Sequence, residues 1–311
     1  MRLLFAGTPT TALPALAALL ESQRHDVVGV LTRPDAPAGR NRRLTRAPVA
    51  AAADAAGVAV FTPQRPSEPD FVRLAMDLDI DCAPVVAYGA LLPRSVLDLP
   101  RFGWVNLHFS LLPAWRGAAP VAHCVLAGDE ITGASTFLIE EGLDTGPVFG
   151  VTTEPVRADD TAGSLLERLS VAGAALLVAT LDAIEDATIS PVEQSGDGIS
   201  LAPKLTADDA RIDFAQPAAA IDRRIRACTP DPGPWTTFRG QRVKLGPARV
   251  CAAGPEGELS PGQLRAGRTE VLVGTATQPV ALGTVQLPGK RPVPASDWAR
   301  GARLAVGEGL G

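Results

Sequence analysis

Asn106 and His108, in Gly103-Trp-Val-Asn-Leu-His108, are the side chains in this 311-residue sequence best suited to chemistry. Residues two apart on a strand face the same side. At a strand end that opens on a cleft, a carboxamide and an imidazole would therefore converge on one atom. That pairing suits attack on a carbonyl: the amide donates to a developing oxyanion and the imidazole moves a proton near neutral pH. A structural pair that satisfies turn backbone gives the same pattern, so Asn-x-His alone leaves both readings open. Downstream, Glu140-Glu-Gly142-Leu-Asp144-Thr145-Gly146 follows the apolar run Thr136-Phe-Leu-Ile139. Asp144 fits either a simple Asx turn or a carboxylate held against His108, raising the imidazole pKa and orienting the ring. A third element, Phe5-Ala-Gly7-Thr8-Pro9, closes a strand into a helix whose N-terminus can receive an anion. It is not G-x-G-x-x-G, which disfavours a dinucleotide site.

The elements that must position these groups alternate. Leu3-Leu-Phe-Ala6 reads as a strand, residues 10–22 as a helix, and Asp26-Val-Val-Gly-Val-Leu-Thr32 as a strand. A helix over 47–56, a strand over 58–61 and a helix over 69–76 follow, then strands over 82–88 and 103–108. The alternation predicts a parallel sheet covered on both faces, with ligands bound outside the carboxyl ends of its strands. A long helix over 158–186 has Asp159 or Asp160 as its expected N-cap. Periodicity is lost between Thr188 and Pro203, the expected linker. Beyond it, a helix over 217–227 precedes short strands at 235–238, 241–245, 248–251, 270–273 and 280–282, the spacing of a small barrel.

Composition bounds the rest. The length suits two domains. Apolar residues make up 46% and charged residues 20%, with 28 prolines and 30 glycines, as in a folded protein rich in turns. No run of eighteen purely apolar residues marks a membrane span. The opening apolar stretch stops at Gly7-Thr-Pro9, too early for a signal peptide. Cys82, Cys124, Cys228 and Cys251 lie far apart and only three histidines are present, so neither a disulfide framework nor a zinc site is expected and a reducing cytoplasm fits. The net charge of −5 hides an asymmetry: from Ser200 on there are 15 Lys/Arg against 10 Asp/Glu, and before it 14 against 24. The acidic part still carries Arg33, Arg40, Arg42, Arg43 and Arg46 with only Asp35 among them. These are either solvated arginines or part of the footprint of a polyanion.

Taken together, the motifs resemble the methionyl-tRNA formyltransferase family within the folate-dependent formyltransferase superfamily. They are Phe5-Ala-Gly-Thr-Pro9, Val85-Val-Ala-Tyr-Gly89 with Leu92-Pro93, Asn106-x-His108 with Ser110-Leu-Leu-Pro113, Arg116-Gly-Ala-Ala-Pro120, and Gly142-Leu-Asp-Thr-Gly146. The likeness continues through Lys204-Leu205, Ala210-Arg-Ile-Asp-Phe214, Ile225-Arg-Ala227, Val243-Lys-Leu245, Gly289-Lys-Arg291 and Ala295-Ser-Asp-Trp298, so it covers essentially the whole chain.

The resemblance implies a Rossmann-like α/β catalytic domain over 1–188, a linker over 189–203 and an OB-like β-barrel over 204–311 that contacts tRNA. It implies a catalytic trio of Asn106, His108 and Asp144, acting on 10-formyltetrahydrofolate as formyl donor and methionyl initiator tRNA as acceptor, with no metal. Folate would be held by Val86, Tyr88, Gly89, Leu92, Ser110, Leu111, Leu112, Pro113 and Gly142. Arg40, helped by Arg42 and Arg43, would grip the tRNA acceptor end. A cytoplasmic monomer, away from membranes, is the family expectation. Pro84, Phe109, Ala114, Pro147 and Thr229 depart from the usual family residues. None is in the trio, but Phe109 bears on the shape of the folate cleft, and Pro84 forfeits a ladder donor and implies an irregular strand. Rival readings are a formyltransferase acting on an amino sugar nucleotide or glycinamide ribonucleotide, a formyl-folate hydrolase, and a non-catalytic RNA-binding module.

Overall fold

A computed structural model describes residues 1–38, 43–252 and 259–311. The chain forms two compact units, one of Met1–Gly117, Ile131–Pro155 and Leu166–Leu201, the other of Ala118–Glu130, Val156–Leu165 and Ala202–Gly311.

The first unit follows the alternation in the sequence. Strand β1 (Arg2–Gly7) runs through a 3-10 turn (Thr10–Ala12) into α1 (Leu13–Leu20) and β2 (Asp26–Leu31). A small hairpin, β3 (Ala36–Ala38) and β4 (Arg43–Thr45), leads to α2 (Pro48–Ala55), β5 (Val60–Phe61), α3 (Pro69–Asp77), β6 (Ala83–Val86), α4 (Arg94–Leu97) and β7 (Trp104–His108). After α5 (Pro120–Ala127) come β8 (Ile131–Leu138), β9 (Val148–Pro155) and α6 (Ala162–Glu185). The sheet order is β5-β2-β1-β6-β7-β8-β9. The expected parallel sheet comprises β5, β2, β1, β6 and β7. It is extended by β8 and β9, which pair antiparallel. Neither strand is among those the sequence predicts; Ile131-Thr-Gly-Ala-Ser-Thr-Phe-Leu138 of β8 is buried from its second through its seventh residue and shows no period-two pattern.

Chain order reverses between β1 and β6, which puts a crevice outside their carboxyl ends. Pro84 falls between the stretches in which β6 pairs with β1, Leu3 with Cys82 and then Ala6 with Val85, so its missing N–H is accommodated by the irregularity expected there.

The two faces of β7 have separate roles. Trp104 is fully buried among Leu4, Ala6, Phe71, Ala75 and Val96, and its indole N–H donates to the Val96 carbonyl at 2.9 Å. Alternation then carries Asn106 and His108 along that same face toward the strand end. On the opposite face, a Cβ added at Gly173 of α6 would sit 3.0 Å from both Leu107 methyl carbons, so the glycine lets helix and strand approach closely. Helix α6 is long and apolar enough to cross a membrane by length and composition. Here, however, Leu165, Leu169, Leu177 and Leu181 are fully buried, and Thr180 bonds Thr136 of β8 at 2.8 Å. Its N-cap is Thr161 rather than Asp159 or Asp160. Thr161 Oγ1 accepts from the Ser164 N–H at 3.1 Å while Ser164 Oγ accepts from the Thr161 N–H at 2.9 Å, a reciprocal capping pair. Asp160 instead takes the Arg157 N–H at 2.8 Å.

In the second unit α5 packs against α7 (Ala218–Ala227). Strands β10 (Trp235–Phe238), β11 (Gln241–Leu245), β12 (Ala248–Val250), β13 (Leu264–Ala266), β14 (Val271–Val273), β15 (Val280–Leu282), β16 (Thr284–Gln286) and β17 (Val293–Pro294) precede α8 (Ala295–Ala302). They form two four-stranded sheets, β10-β11-β16-β17 and β12-β15-β14-β13. Their core joins Ile221 and Ile225 of α7 with Val243, Val271, Val273, Val280 and Trp298, whose ring meets Phe238 edge-on at 5.0 Å.

Candidate active site

Strand β7 is paired on both sides, Asn106 opposite Val85 of β6 and Phe137 of β8, His108 opposite Ser135. Ladder bonds therefore fix the backbone beneath both side chains. Asn106 is half-buried, and His108 is 6% exposed with the Phe137 ring edge-on at 6.3 Å.

The loop after β7 folds back over the ring. Ser110 Oγ donates to the Ala114 carbonyl at 2.6 Å, and Ser135 Oγ donates to the Ser110 carbonyl at 2.7 Å while accepting the Leu112 N–H at 3.1 Å. Trp115 then adopts φ +59°, a left-handed conformation costly for a bulky residue, and its carbonyl lies 2.9 Å from His108 Nε2. A carbonyl only accepts, so Nε2 carries the proton and Nδ1 is left as the basic nitrogen. Nδ1 faces Asp144 Oδ2 at 3.7 Å. Burial pushes the imidazole below its ordinary 6.5, opposed by the Asp144 carboxylate and the Trp115 bond. His108 is thus neutral near pH 7 and poised to accept a proton on the side where a carboxylate would stabilise the resulting cation.

Asp144 belongs to the β8–β9 turn and is itself left-handed, at φ +50°. Its Oδ2 accepts the Gly117 N–H at 2.7 Å, which ties it to the loop that carries Trp115. Gly146 is obligatory here, since a Cβ would meet the Leu138 carbonyl oxygen at 1.8 Å. A third left-handed non-glycine residue, Ala87 at φ +48°, sits in the loop after β6. Backbone strain of this kind gathers where surrounding structure over-determines a site.

Of the residues expected to hold folate, Gly89, Leu92, Leu111, Leu112, Pro113 and Gly142 have accessible surface. Val86, Tyr88 and Ser110 are buried and support those loops from beneath. Thr8 joins the crevice walls: its hydroxyl donates to the Tyr88 carbonyl at 2.9 Å and accepts the Arg33 N–H at 3.3 Å. Arg40 and Arg42 lie outside the described residues, and Arg43 begins β4. Two arginines of the basic patch serve the fold: Arg46 grips Asp54 with two bonds of 2.9 Å, and Arg33 donates to the Gln64 carbonyl at 3.0 Å. Sequence reasoning missed the Trp115 carbonyl and the Gly117 N–H, because backbone groups leave no side-chain signature. It also missed Gln194, bonded to the Asp144 and Gly146 carbonyls at 2.8 Å each.

Comparison with known proteins agrees with this geometry. The family profile described as formyl transferase matches residues 1–181, and that described as formyl transferase, C-terminal domain, matches residues 204–303. The methionyl-tRNA formyltransferase of Salinispora arenicola is 63% identical over 310 residues, covering 100% of both chains. That of Streptomyces coelicolor is 58% identical over 311 residues, again covering 100% of both. Among solved structures, HypX from Aquifex aeolicus in complex with tetrahydrofolic acid superimposes with a TM-score of 0.66 at 18% identity, over 99% of this chain and 48% of that one. At that identity the likeness speaks to fold alone; with both family profiles and full-length relatives, it establishes that this chain belongs to the formyl transferase family.

Proposed function

We propose that this chain transfers the formyl group of 10-formyltetrahydrofolate to the α-amino group of methionyl initiator tRNA, giving N-formylmethionyl-tRNA for translation initiation. The observation that carries the reading is a neutral, buried His108 whose basic nitrogen faces Asp144, beside Asn106, in a chain aligned end to end with methionyl-tRNA formyltransferases.

The donor supplies an electrophilic formyl carbon. The neutral amine of methionine attacks it, forming the new N–C bond, and the bond from that carbon to N10 of the folate breaks. Asn106 donates a hydrogen bond to the formyl oxygen as negative charge develops there. His108 Nδ1 takes the proton that the amine loses and returns it to N10 as tetrahydrofolate leaves. Asp144 stabilises the intervening imidazolium. Folate rests against Gly89, Leu92, Leu111, Leu112, Pro113 and Gly142, with Val86, Tyr88 and Ser110 behind them.

Residues 1–188 form the catalytic domain, 189–203 the connection, and 204–311 the domain that contacts tRNA. The acceptor end is held by Arg40, Arg42 and Arg43. Exposed Arg242, Lys244, Lys290 and Arg291, beside the turn at 287–289, support a phosphate-binding role for the second unit. The enzyme works as a cytoplasmic monomer, away from membranes and without a metal; four free thiols suit that reducing compartment.

The test is transfer of labelled formyl from 10-formyltetrahydrofolate to purified methionyl initiator tRNA, with uncharged tRNA and free methionine as controls. Label on the charged initiator tRNA alone is expected. Folate consumption without labelled tRNA would point to water or a small-molecule acceptor, and no consumption would leave only RNA binding.

A further inference from the structure

The stretch expected to be a plain linker is fastened to the catalytic loops. Val192 exchanges two backbone bonds of 2.8 Å with Val148 of β9. Two residues on, the Gln194 carboxamide is fully used. Its Nε2 donates to the Asp144 and Gly146 carbonyls at 2.8 Å each, and its Oε1 accepts Arg116 Nε at 3.1 Å and Nη2 at 2.7 Å. Two donors meet two carbonyls and the acceptor meets a guanidinium, so the opposite amide orientation would break all four bonds. Ser200 completes the attachment: its carbonyl accepts the Arg116 N–H at 2.9 Å and its Oγ accepts the Trp115 N–H at 2.8 Å.

These bonds close a ring. From the Asp144 carbonyl it passes through Gln194 to the Arg116 guanidinium, along the backbone to Gly117, and from the Gly117 N–H back to the Asp144 carboxylate. Trp115, whose carbonyl holds His108 Nε2, immediately precedes Arg116. Gln194 thus braces the two loops that hold the two sides of the imidazole.

We propose that Gln194 is a positioning residue for formyl transfer, locking the Asp144 turn to the Trp115–Gly117 loop so that the carboxylate stands at its working distance from His108 Nδ1. This rests on the reading of His108 and Asp144 as catalytic. A left-handed aspartate on a glycine-flanked turn needs such an external tie, because neither its conformation nor its glycine neighbours favour one geometry. Misplacement of a catalytic group by about 1 Å costs roughly 10²-fold.

The test is a double-mutant cycle read as kcat, KM and the pH dependence of kcat. Gln194→Glu keeps the size of the side chain and the Arg116 contact but points a carboxylate at two carbonyls; Gln194→Ala removes the brace outright. Either should lower kcat roughly 10- to 100-fold, with KM for folate and tRNA within about twofold. The acid limb of the profile should move to lower pH as the carboxylate, the charged group acting on His108, drifts away. In an Asp144→Asn background the same substitutions should cost less than about twofold, since residues acting through one another are non-additive. Melting temperatures identify the variants that fold, and Gln194→Glu serves where Gln194→Ala does not. A kcat loss that persists undiminished without the Asp144 carboxylate, or one with the acid limb unmoved, would overturn the proposal. Wild-type kcat in Asp144→Asn alone would instead overturn the catalytic reading beneath it.

Discussion

Asp144→Asn removes a charge while preserving shape, and the structure sets what that should cost. The remaining amide oxygen can still accept the Gly117 N–H that holds Asp144 Oδ2 at 2.7 Å, so the turn should stay in place. What disappears is the attraction between a carboxylate and an imidazolium 3.7 Å apart. Such a pair is worth about 4.5 kcal/mol at an effective dielectric near 20 and about 1 kcal/mol in bulk water. The two side chains are 6% and 16% exposed, which places the pair between those limits. An intermediate figure of about 2 to 3 kcal/mol corresponds to roughly a 30- to 150-fold loss in kcat. Losing that attraction also lowers the His108 pKa, because the Asp144 carboxylate is one of the contacts that favour the charged ring. Because burial already holds His108 below 6.5 and the neutral ring is the active form, the acid limb of kcat should move further toward acid while the plateau drops. The assay is single-turnover formyl transfer between about pH 4.5 and 8 at fixed ionic strength, with saturating folate and tRNA; the window spans the ordinary histidine range and the shift below it. A limb that stays put, or that moves toward alkaline pH, would refute the assignment of Asp144 as the partner of the protonated ring.

Asn106→Ala should reduce kcat by about 10²- to 10³-fold, the usual cost of an oxyanion donor, and leave the KM for tRNA unchanged; near-normal turnover would remove Asn106 from the mechanism. Arg40→Ala should raise the KM for tRNA and lower the slope of log affinity against log salt by about one, measured by filter binding across a salt series; an unchanged slope would remove Arg40 from the phosphate contacts. Stability should also depend on pH in a set direction. His25 and His108 are both held below 6.5 by burial, so the unfolded chain binds protons that the native state does not. Their contribution is complete above about pH 6.5 and is lost as pH falls through the lower native values; denaturant midpoints that rise between pH 7 and 5 would contradict the burial of both rings.

What the sequence made legible, and what it hid, divides along the range of the interactions involved. Strands β1, β2, β6 and β7 announce themselves because apolar runs bounded by turn residues need only near neighbours to be recognised. The shared face of Asn106 and His108 follows from the same period of two. The β8–β9 pair escapes that logic: Thr132, Ser135 and Thr136 are buried polar residues, and Ser135 is placed by its partners in the 110–112 loop. The arginine patch shows a complementary limit of composition. Composition groups Arg33 and Arg46 with Arg40, Arg42 and Arg43, yet Arg46 is satisfied by Asp54 and Arg33 by the Gln64 carbonyl. Gln194 is the clearest case. It lies in a stretch whose serines, glycines and prolines read as a connector, and its partners are carbonyls 50 and 48 positions back and a guanidinium 78 back. Periodicity tells where a side chain points on its own element; it carries no information about which distant backbone oxygen it will meet. The two nitrogens of the His108 imidazole, catalytic in the proposed reading, are distinguished by such a meeting, the bond from His108 to the Trp115 carbonyl. The geometry that lets His108 accept a proton in the proposed mechanism therefore had to be read from the folded chain, although the sequence already offered His108 as a candidate.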